Sequence, residues 1–342
     1  MKWTLQAGAQ LPLASWSALH ARVNGSPLLA AGFVQPLLAQ FGDGAAWLAS
    51  CEHEGRTVAM ALLVRRGRGN WATFQPAQAP VGLWLQEPGL GLEALLAALM
   101  RALPGMPLVI GVTQCDPALI VRPAATGRLR TMDYIDTASI TLQGSFDSYW
   151  ESRGKNLRAN LKKQRARLDK DGVVPRLQIS RAAHDVAAAV ADYGRLESAG
   201  WKAGGGTAVG ADNAQGRYYR AMLEEFCARD AGCIYRYWFG EQLVAMDLCI
   251  EGAGQLIVLK TTYDESVPNS LSPTLLMREA ACRALFDEGR LARLEFYGKV
   301  MEWHTRWTSE VRTLYHVNFY RWPLLARLHA SRIHDPKANH VP

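Results

Sequence analysis

The runs CIYRYWF (233–239), QLVAMDLCI (242–250) and QLIVLKTTY (255–263), followed by SVPNSLSPTLLMREAACRAL (266–285), decide how this chain folds. Each of the three runs is rich in apolar, β-branched or aromatic residues and reads as a strand. Only Gly240-Glu241 separates the first two, and EGAG (251–254) the next two, so they form an antiparallel meander with tight turns. Ser272 then Pro273 opens a helix over about 272–287. The serine oxygen suits a cap, and proline's missing N–H costs nothing at the first helical position.

Outward from this core, helices are expected near 146–170, 183–199 and 213–230. Downstream come a strand at 292–297, a short helical stretch and a strand at 312–320. Helices, meander, helix, strand, helix, strand is the order of neither a doubly wound parallel sheet nor a β-sandwich. The fold class is α/β (α+β) with mixed, mostly antiparallel central sheets, in the order of the acyl-CoA N-acyltransferase (GNAT) fold. An echo precedes it: helices near 11–21, 33–41 and 91–103, with strands near 46–52, 56–65, 70–75, 107–112 and 136–142. Two such units in tandem are therefore expected. Apart from Lys2, the first lysine is Lys155, and Gly and Pro are frequent between 67 and 129. That shift sets a first domain at 1–144, a second at 145–330 and a tail at 331–342.

A chain of 342 residues with 49% hydrophobic and 20% charged residues is an ordinary globular protein, which excludes disordered and collagen-like classes. The formal charge of +7 suits anionic partners without choosing among them. Six cysteines (51, 115, 227, 233, 249 and 282) form no CxxC and no zinc-ligand spacing, so they read as separate buried thiols, and no metal is expected. Apolar stretches such as GLEALLAALM (91–100) fall short of the ~20 residues of a membrane span. The N-terminus has no apolar signal segment. A cytoplasmic chain is expected, with room for peripheral membrane contact.

Four places carry chemistry. The helix opening at Ser272 offers amides and a dipole to a pyrophosphate, with Ser272, Pro273, Thr274, Leu275 and Leu276 as the cofactor-binding segment. YWESRGKNLRANLKKQRARLDKDG (149–172) places eight Lys or Arg against Glu151 and Asp169 between 150 and 170, a net of 8 − 2 = +6. Trp150, Leu157, Leu161 and Leu168 share one stripe of that helix, so it packs by that side and presents charge on the other. Over 153–167 it is either a solvated face or a landing strip for a polyanion such as tRNA or an acidic acyl carrier protein. LESAGWKAGGGTAVG (196–210) puts Glu197, Trp201 and Lys202 at the rim of an acceptor site, or simply at a helix end. In LEFYGKVMEWHTRW (294–307), Glu295, Tyr297, Lys299, Glu302 and His304 follow a strand end, where Lys299 suits charge stabilisation and His304 or Glu302 proton acceptance. There is no GxSxG and no catalytic-cysteine pattern, so a covalent nucleophile has little support.

In order and spacing, YWESRGKNLRANLKKQRARL, LESAGWKAGGGTA, TYDESVPNSLSPTLL and YGK…EW…R…LYHVNFYR resemble the BioF2-like (CelD/BcsL-type) branch of the GNAT acetyltransferases, related to the Fem aminoacyl ligases. The resemblance is best over about 145–322, and NGSPLLAAGFVQPLLAQFG (24–42) is similar to that family's opening segment. It implies direct transfer of an acyl group from acetyl-CoA or another acyl-CoA to an amine or hydroxyl of a small-molecule or glycan acceptor, in exopolysaccharide or cell-envelope glycan synthesis. It places the family's SPG-type segment on Ser272, Pro273 and Thr274, its WK pair on Trp201 and Lys202, its acid on Glu197, its YD pair on Tyr263 and Asp264, and its late lysine on Lys299. Glu197, Asp264 and Lys299 are then the catalytic candidates, and Trp201, Lys202, Tyr263, Tyr297 and His304 the substrate-binding ones. Thr274 replaces the usual Gly, and the usual GD segment before the lysine is missing. The alternatives are a Fem-like aminoacyl-tRNA-dependent ligase, an acyl-carrier-dependent long-chain N-acyltransferase, and a non-catalytic tandem-GNAT scaffold with its groove lost.

Overall fold

The computed structural model describes residues 1–8, 11–23, 25–199, 209–210 and 212–333. It divides into two compact units, Met1–Ile135 with the residues from Arg312 onward, and Asp136–Val311. The composition shift in the sequence points instead to a division at 144/145.

The first unit runs β1 (Lys2–Ala7), α1 (Leu13–Arg22), α2 (Ala31–Phe41), β2 (Trp47–His53), β3 (Arg56–Gly67), β4 (Asn70–Thr73), β5 (Trp84–Gln86), α3 (Leu92–Ala102), β6 (Val109–Cys115) and the start of β7 (Leu129–Thr141). The second continues with α4 (Phe146–Glu151), α5 (Lys155–Lys170), β8 (Pro175–Ser180), α6 (Val186–Ala199), α7 (Ala214–Cys227), β9 (Gly232–Phe239), β10 (Gln242–Gly252), β11 (Gln255–Tyr263), α8 (Pro273–Glu288), β12 (Arg293–Phe296) and α9 (Glu302–Thr305). β13 (Glu310–Tyr320) and α10 (Pro323–Ile333) close the chain.

From β1 and from β8 onward the same series recurs: strand, two helices, antiparallel strands, helix, parallel strand. β1–β2, β2–β3 and β3–β4 pair antiparallel and β4–β6 parallel. In the second unit β8–β9, β9–β10 and β10–β11 pair antiparallel and β11–β12 parallel. The last strands are exchanged. β13 pairs with β6 (Tyr320↔Val109), and residues 138–141 of β7 pair with β12 (Phe296↔Ala138 to Arg293↔Thr141). The strand order of each unit is completed by a strand from the opposite half of the sequence.

The meander turns are as tight as the sequence indicates. Gly240 takes φ +56 in the β9–β10 loop, and Ala253-Gly254 at φ +50 and +73 make the β10–β11 loop two residues long rather than four. Two expectations need correction. The helix over 146–170 is two helices, because Ser152 ends α4 and Gly154, extended at φ −55 and ψ 136, caps the start of α5. Trp150 thus belongs to α4. Strands β1 and β8, which open each series, had not been expected at all.

Leu157, Leu161 and Leu168 of α5 enter the second unit's core beside Tyr235, Leu276 and Leu285, while its lysines are exposed. The first unit has its own core around Trp3, Trp84, Leu95 and Phe319. All six cysteines are buried and unbridged. Among the described residues, no helix is long and apolar enough to cross a membrane, and no group of three or more His, Cys, Asp or Glu is placed to hold a metal ion.

Candidate functional site

β11 and β12 are in register only briefly. Their parallel pairing covers Gln255↔Arg293, Leu256↔Leu294 and Ile257↔Glu295, although β11 continues to Tyr263. On the other side, Lys260 faces Leu248 and Val258 faces Cys249, which leaves Leu259 as a bulge. A bulge sharpens local twist and re-aims the strand. It falls where the partner is lost, so the far half of β11 has no β12 residue in register.

A cleft of 790 Å³ lies beside that free half. Thr261, Tyr263 and Asp264 line it from the end of β11, Ser272, Thr274 and Arg278 from α8, and Trp303, Arg306 and Trp307 from α9 and the turn after it. A groove lost to side chains, as a scaffold would have, is not what this unit shows.

Pro273 occupies the first position of α8 as expected, but the Ser272 side chain makes no capping bond. Its backbone N–H is held instead by Gln164 Oε1 of α5 at 2.7 Å. The Leu275 and Leu276 amides both donate to the Ser272 carbonyl, at 3.0 and 3.1 Å. Pro273 has no N–H, which leaves the Thr274 amide as the first-turn donor without a partner among the described residues. The tip is open, but its capacity is small.

A buried ion pair lies beneath the cleft. Asp247 of β10 and Arg278 of α8 are 0% and 3% exposed, with Nη2 and Oδ2 2.8 Å apart, and Thr261 donates to the other carboxylate oxygen at 2.6 Å. Burial pushes the Asp247 carboxyl up, opposed by Arg278 and Thr261. Burial is the largest single influence on Arg278 and works against its charge, but the Asp247 carboxylate together with Cys282, Cys249 and Tyr235 outweighs it and holds the guanidinium above its usual range. The ring of Phe296 lies 5.0 Å from the Arg278 guanidinium carbon. Neither residue of the pair was singled out from sequence, though a lone Asp inside the apolar run LVAMDLCI is the mark of a buried, partnered charge.

The sequence candidates are not all brought together. Asp264 and Tyr263 line the cleft with Ser272, Pro273, Thr274 and Leu275. Leu276 is buried behind them in the core. Lys260 and Thr261 are consecutive on β11 and so point to opposite faces of the sheet. Thr261 meets Asp247, whereas Lys260 meets Glu197 of α6 at 3.6 Å. Glu197 is buried and also accepts from the Val209 amide at 2.7 Å, on the face away from the cleft. Lys299 is exposed in the connection between β12 and α9, and neither it nor Tyr297 lines the cleft. Trp201 and Lys202 lie outside the described residues.

Among groups considered for proton transfer, Asp264 takes hydrogen bonds from Gln242 Nε2 and the Ser266 amide, each at 2.9 Å. Its slight burial raises the carboxyl, but the Ser266 and Gln242 bonds more than offset this, and it stays below its ordinary range. It is an anion at neutral pH and a weak base.

His304 is buried, stacks on Trp303 with ring centroids 3.5 Å apart, and accepts the Met301 amide on Nδ1 at 2.9 Å. Burial, with a smaller push from Arg278, lowers it to about 4. A histidine depressed when folded contributes stability that is complete above its ordinary value of about 6.5 and is lost as pH falls towards 4. The urea midpoint of the wild type is therefore expected to fall over pH 6.5 to 4, by an amount corresponding to about 2–3 kcal/mol, and His304→Gln to flatten that slope. An unchanged slope in the variant would contradict it.

Residues 155–305, all inside the second unit, match the family model described as Acetyltransferase (GNAT) domain. No curated protein matches the chain. Among solved structures, FemX aligns over 96% of this chain and 99% of its own, at 9% identity and a TM-score of 0.58. The C-terminal domain of a putative lysylphosphatidylglycerol synthetase from Agrobacterium fabrum aligns over 95% and 98%, at 13% identity and 0.56. A conserved protein from Bacteroides thetaiotaomicron aligns over 92% and 99%, at 9% and 0.56. At these identities the likeness is one of fold. Residues 155–305 thus form an acetyltransferase (GNAT) domain, and the chain that carries it is an acyltransferase.

Proposed function

We propose that the chain transfers an acyl group directly from a coenzyme A thioester to an amine, or to a hydroxyl, in the cleft between β11, α8 and α9. The observation that carries this reading is the parting of β11 from β12 beside a cleft that reaches the unengaged Thr274 amide. A donor's phosphate meets that amide and the positive end of α8. Its thioester arm lies along the free edge of β11, where main-chain N–H groups without a β12 partner can stabilise the carbonyl oxygen as charge develops. Val267, Leu271 and Trp303 give the acyl group an apolar wall.

The acceptor nitrogen attacks the thioester carbon, a C–N bond forms and the C–S bond breaks. The departing thiolate takes up one proton, and the nitrogen gives one up to water. Asp264, ionised at neutral pH, binds the incoming amine or hydroxyl rather than removing its proton, and an acceptor that arrives as ammonium first gives its extra proton to water, because only the neutral nitrogen has the lone pair for attack. Asp264→Asn is expected to raise the acceptor KM roughly tenfold, as loss of a charged hydrogen bond does, with kcat and its pH profile little changed. A pH profile displaced in the variant would make Asp264 the base instead. Glu197 and Lys299 take no part in this chemistry.

The envelope-glycan resemblance supports an amino sugar, an amino acid or a lipid-linked glycan as acceptor. Thiol release from a panel of acyl-CoAs against these acceptors tests the proposal. No release from any pair, together with no heat on titrating any acyl-CoA, would refute it. A second reading keeps the cleft and replaces the donor by an aminoacyl ester on tRNA, favoured by the FemX fold and the basic α5. Its mark is activity that ribonuclease abolishes.

A further inference from the structure

We infer that, besides a free coenzyme A thioester, the cleft takes an acyl donor presented by an acidic carrier protein that docks on the exposed face of α5. This rests on the acyl-transfer reading of the cleft and names a second source of its thioester.

The face is built for a protein partner of opposite charge. Leu157, Leu161, Gln164 and Leu168 are buried on one side of α5. At 100° per residue the opposite side carries Lys155, Lys162, Lys163 and Lys170 around Ala159 and Ala166, all exposed. None of these lysines has a carboxylate within ion-pair distance among the described residues. The arginines of the same helix are engaged elsewhere. Arg165 pairs with Glu279, and Arg167 bonds Ser270 and approaches Asp171 at 3.9 Å. Two alanines seven residues apart let another helix come close, and the flanking lysines meet its carboxylates. No aromatic residue interrupts α5 to stack a nucleic-acid base.

The helix itself adjoins the donor site, through its buried side and its first turn. Gln164 of α5 holds the Ser272 amide at the α8 tip. A second hollow of 520 Å³ is lined by Gly154, Asn156 and Asn160 from the start of α5 and by Arg306, which lines the main cleft as well. A prosthetic arm fixed to a protein on α5 can pass Arg306 into the cleft.

The tip itself also suits a carrier. One unengaged amide matches the single phosphate of a serine-linked phosphopantetheine arm better than the diphosphate and third phosphate of coenzyme A. The binding missing at the tip is then supplied by the lysine face. In the transfer step the C–S bond breaks as before, and the thiol stays on the carrier's arm.

The test uses the full chain and a fluorescently labelled, phosphopantetheine-bearing bacterial acyl carrier protein, with binding read by anisotropy. Binding is expected to weaken as salt rises and to fall at least ~30-fold in the quadruple variant K155E/K162E/K163E/K170E, while the corresponding quadruple Lys→Arg variant binds like wild type. The charge-reversed variant should keep its thermal midpoint and its thiol release from free acyl-CoA. No binding at low salt, equal binding by the charge-reversed variant, or displacement of the carrier by mixed tRNA at lower concentration than by unlabelled carrier would each overturn the inference. Thiol release from acyl-CoA measured on the same proteins shows separately whether the acyl-transfer reading stands.

Discussion

Asp247→Ala is expected to destabilise the second unit by about 3–5 kcal/mol, the range for stripping one partner from a buried ion pair. The Arg278 guanidinium would remain 3% exposed with its carboxylate gone, and Thr261 would lose its acceptor. The penalty comes from the charge left behind, not from the loss of a strong bond, since the attraction in an intact buried pair is largely cancelled by desolvation. The double variant Asp247→Leu/Arg278→Met therefore should recover more than half of the loss, because it removes both charges and keeps the volume. Urea unfolding of the three variants measures this. A single variant losing less than about 1 kcal/mol, the worth of an exposed pair, would show that water reaches the pair and that the cleft floor is not sealed.

Thr274→Asp separates stability from donor binding. An acid in the first turn of a helix is favoured by the dipole and by free amides, so the thermal midpoint is expected to stay or rise slightly. The same carboxylate would occupy the Thr274 amide and repel a phosphate. The donor KM should rise by about 10–100-fold, the loss of a charged hydrogen bond of roughly 1.5–3 kcal/mol, with the acceptor KM unchanged. Thr274→Ser should behave as wild type. If Thr274→Asp left the donor KM unchanged, the α8 tip would have no part in holding the donor.

The contrast between these two sites shows what a sequence carries. The meander was legible because β9, β10 and β11 are long, apolar and separated by short turns, and the Ser-Pro start of α8 was equally clear. β1 and β8 were missed because KWTLQA and PRLQIS are short edge strands with mixed burial, giving neither clean alternation nor an apolar run. The exchange of β7 and β13 has no local signal, since a strand's sequence does not name its partner.

The same limit divides the candidate site. Tyr263, Asp264 and the segment from Ser272 to Leu275 line the cleft together because they are close in sequence to one strand end and one helix start. Arg278, Trp303, Arg306 and Trp307 come to it from separate elements. Glu197 is carried to the far face of the sheet by the one-residue alternation between Lys260 and Thr261.

By itself, then, the amino-acid order determined the elements whose periodicity is local: the helices, the meander, the α8 start and the basic face of α5. Tertiary structure alone decided which strand completes each unit, which charges meet beneath the cleft, and how few amides the α8 tip leaves free. Those outcomes depend on contacts between residues far apart in the chain, where burial and partner geometry, not neighbouring residues, set the energy.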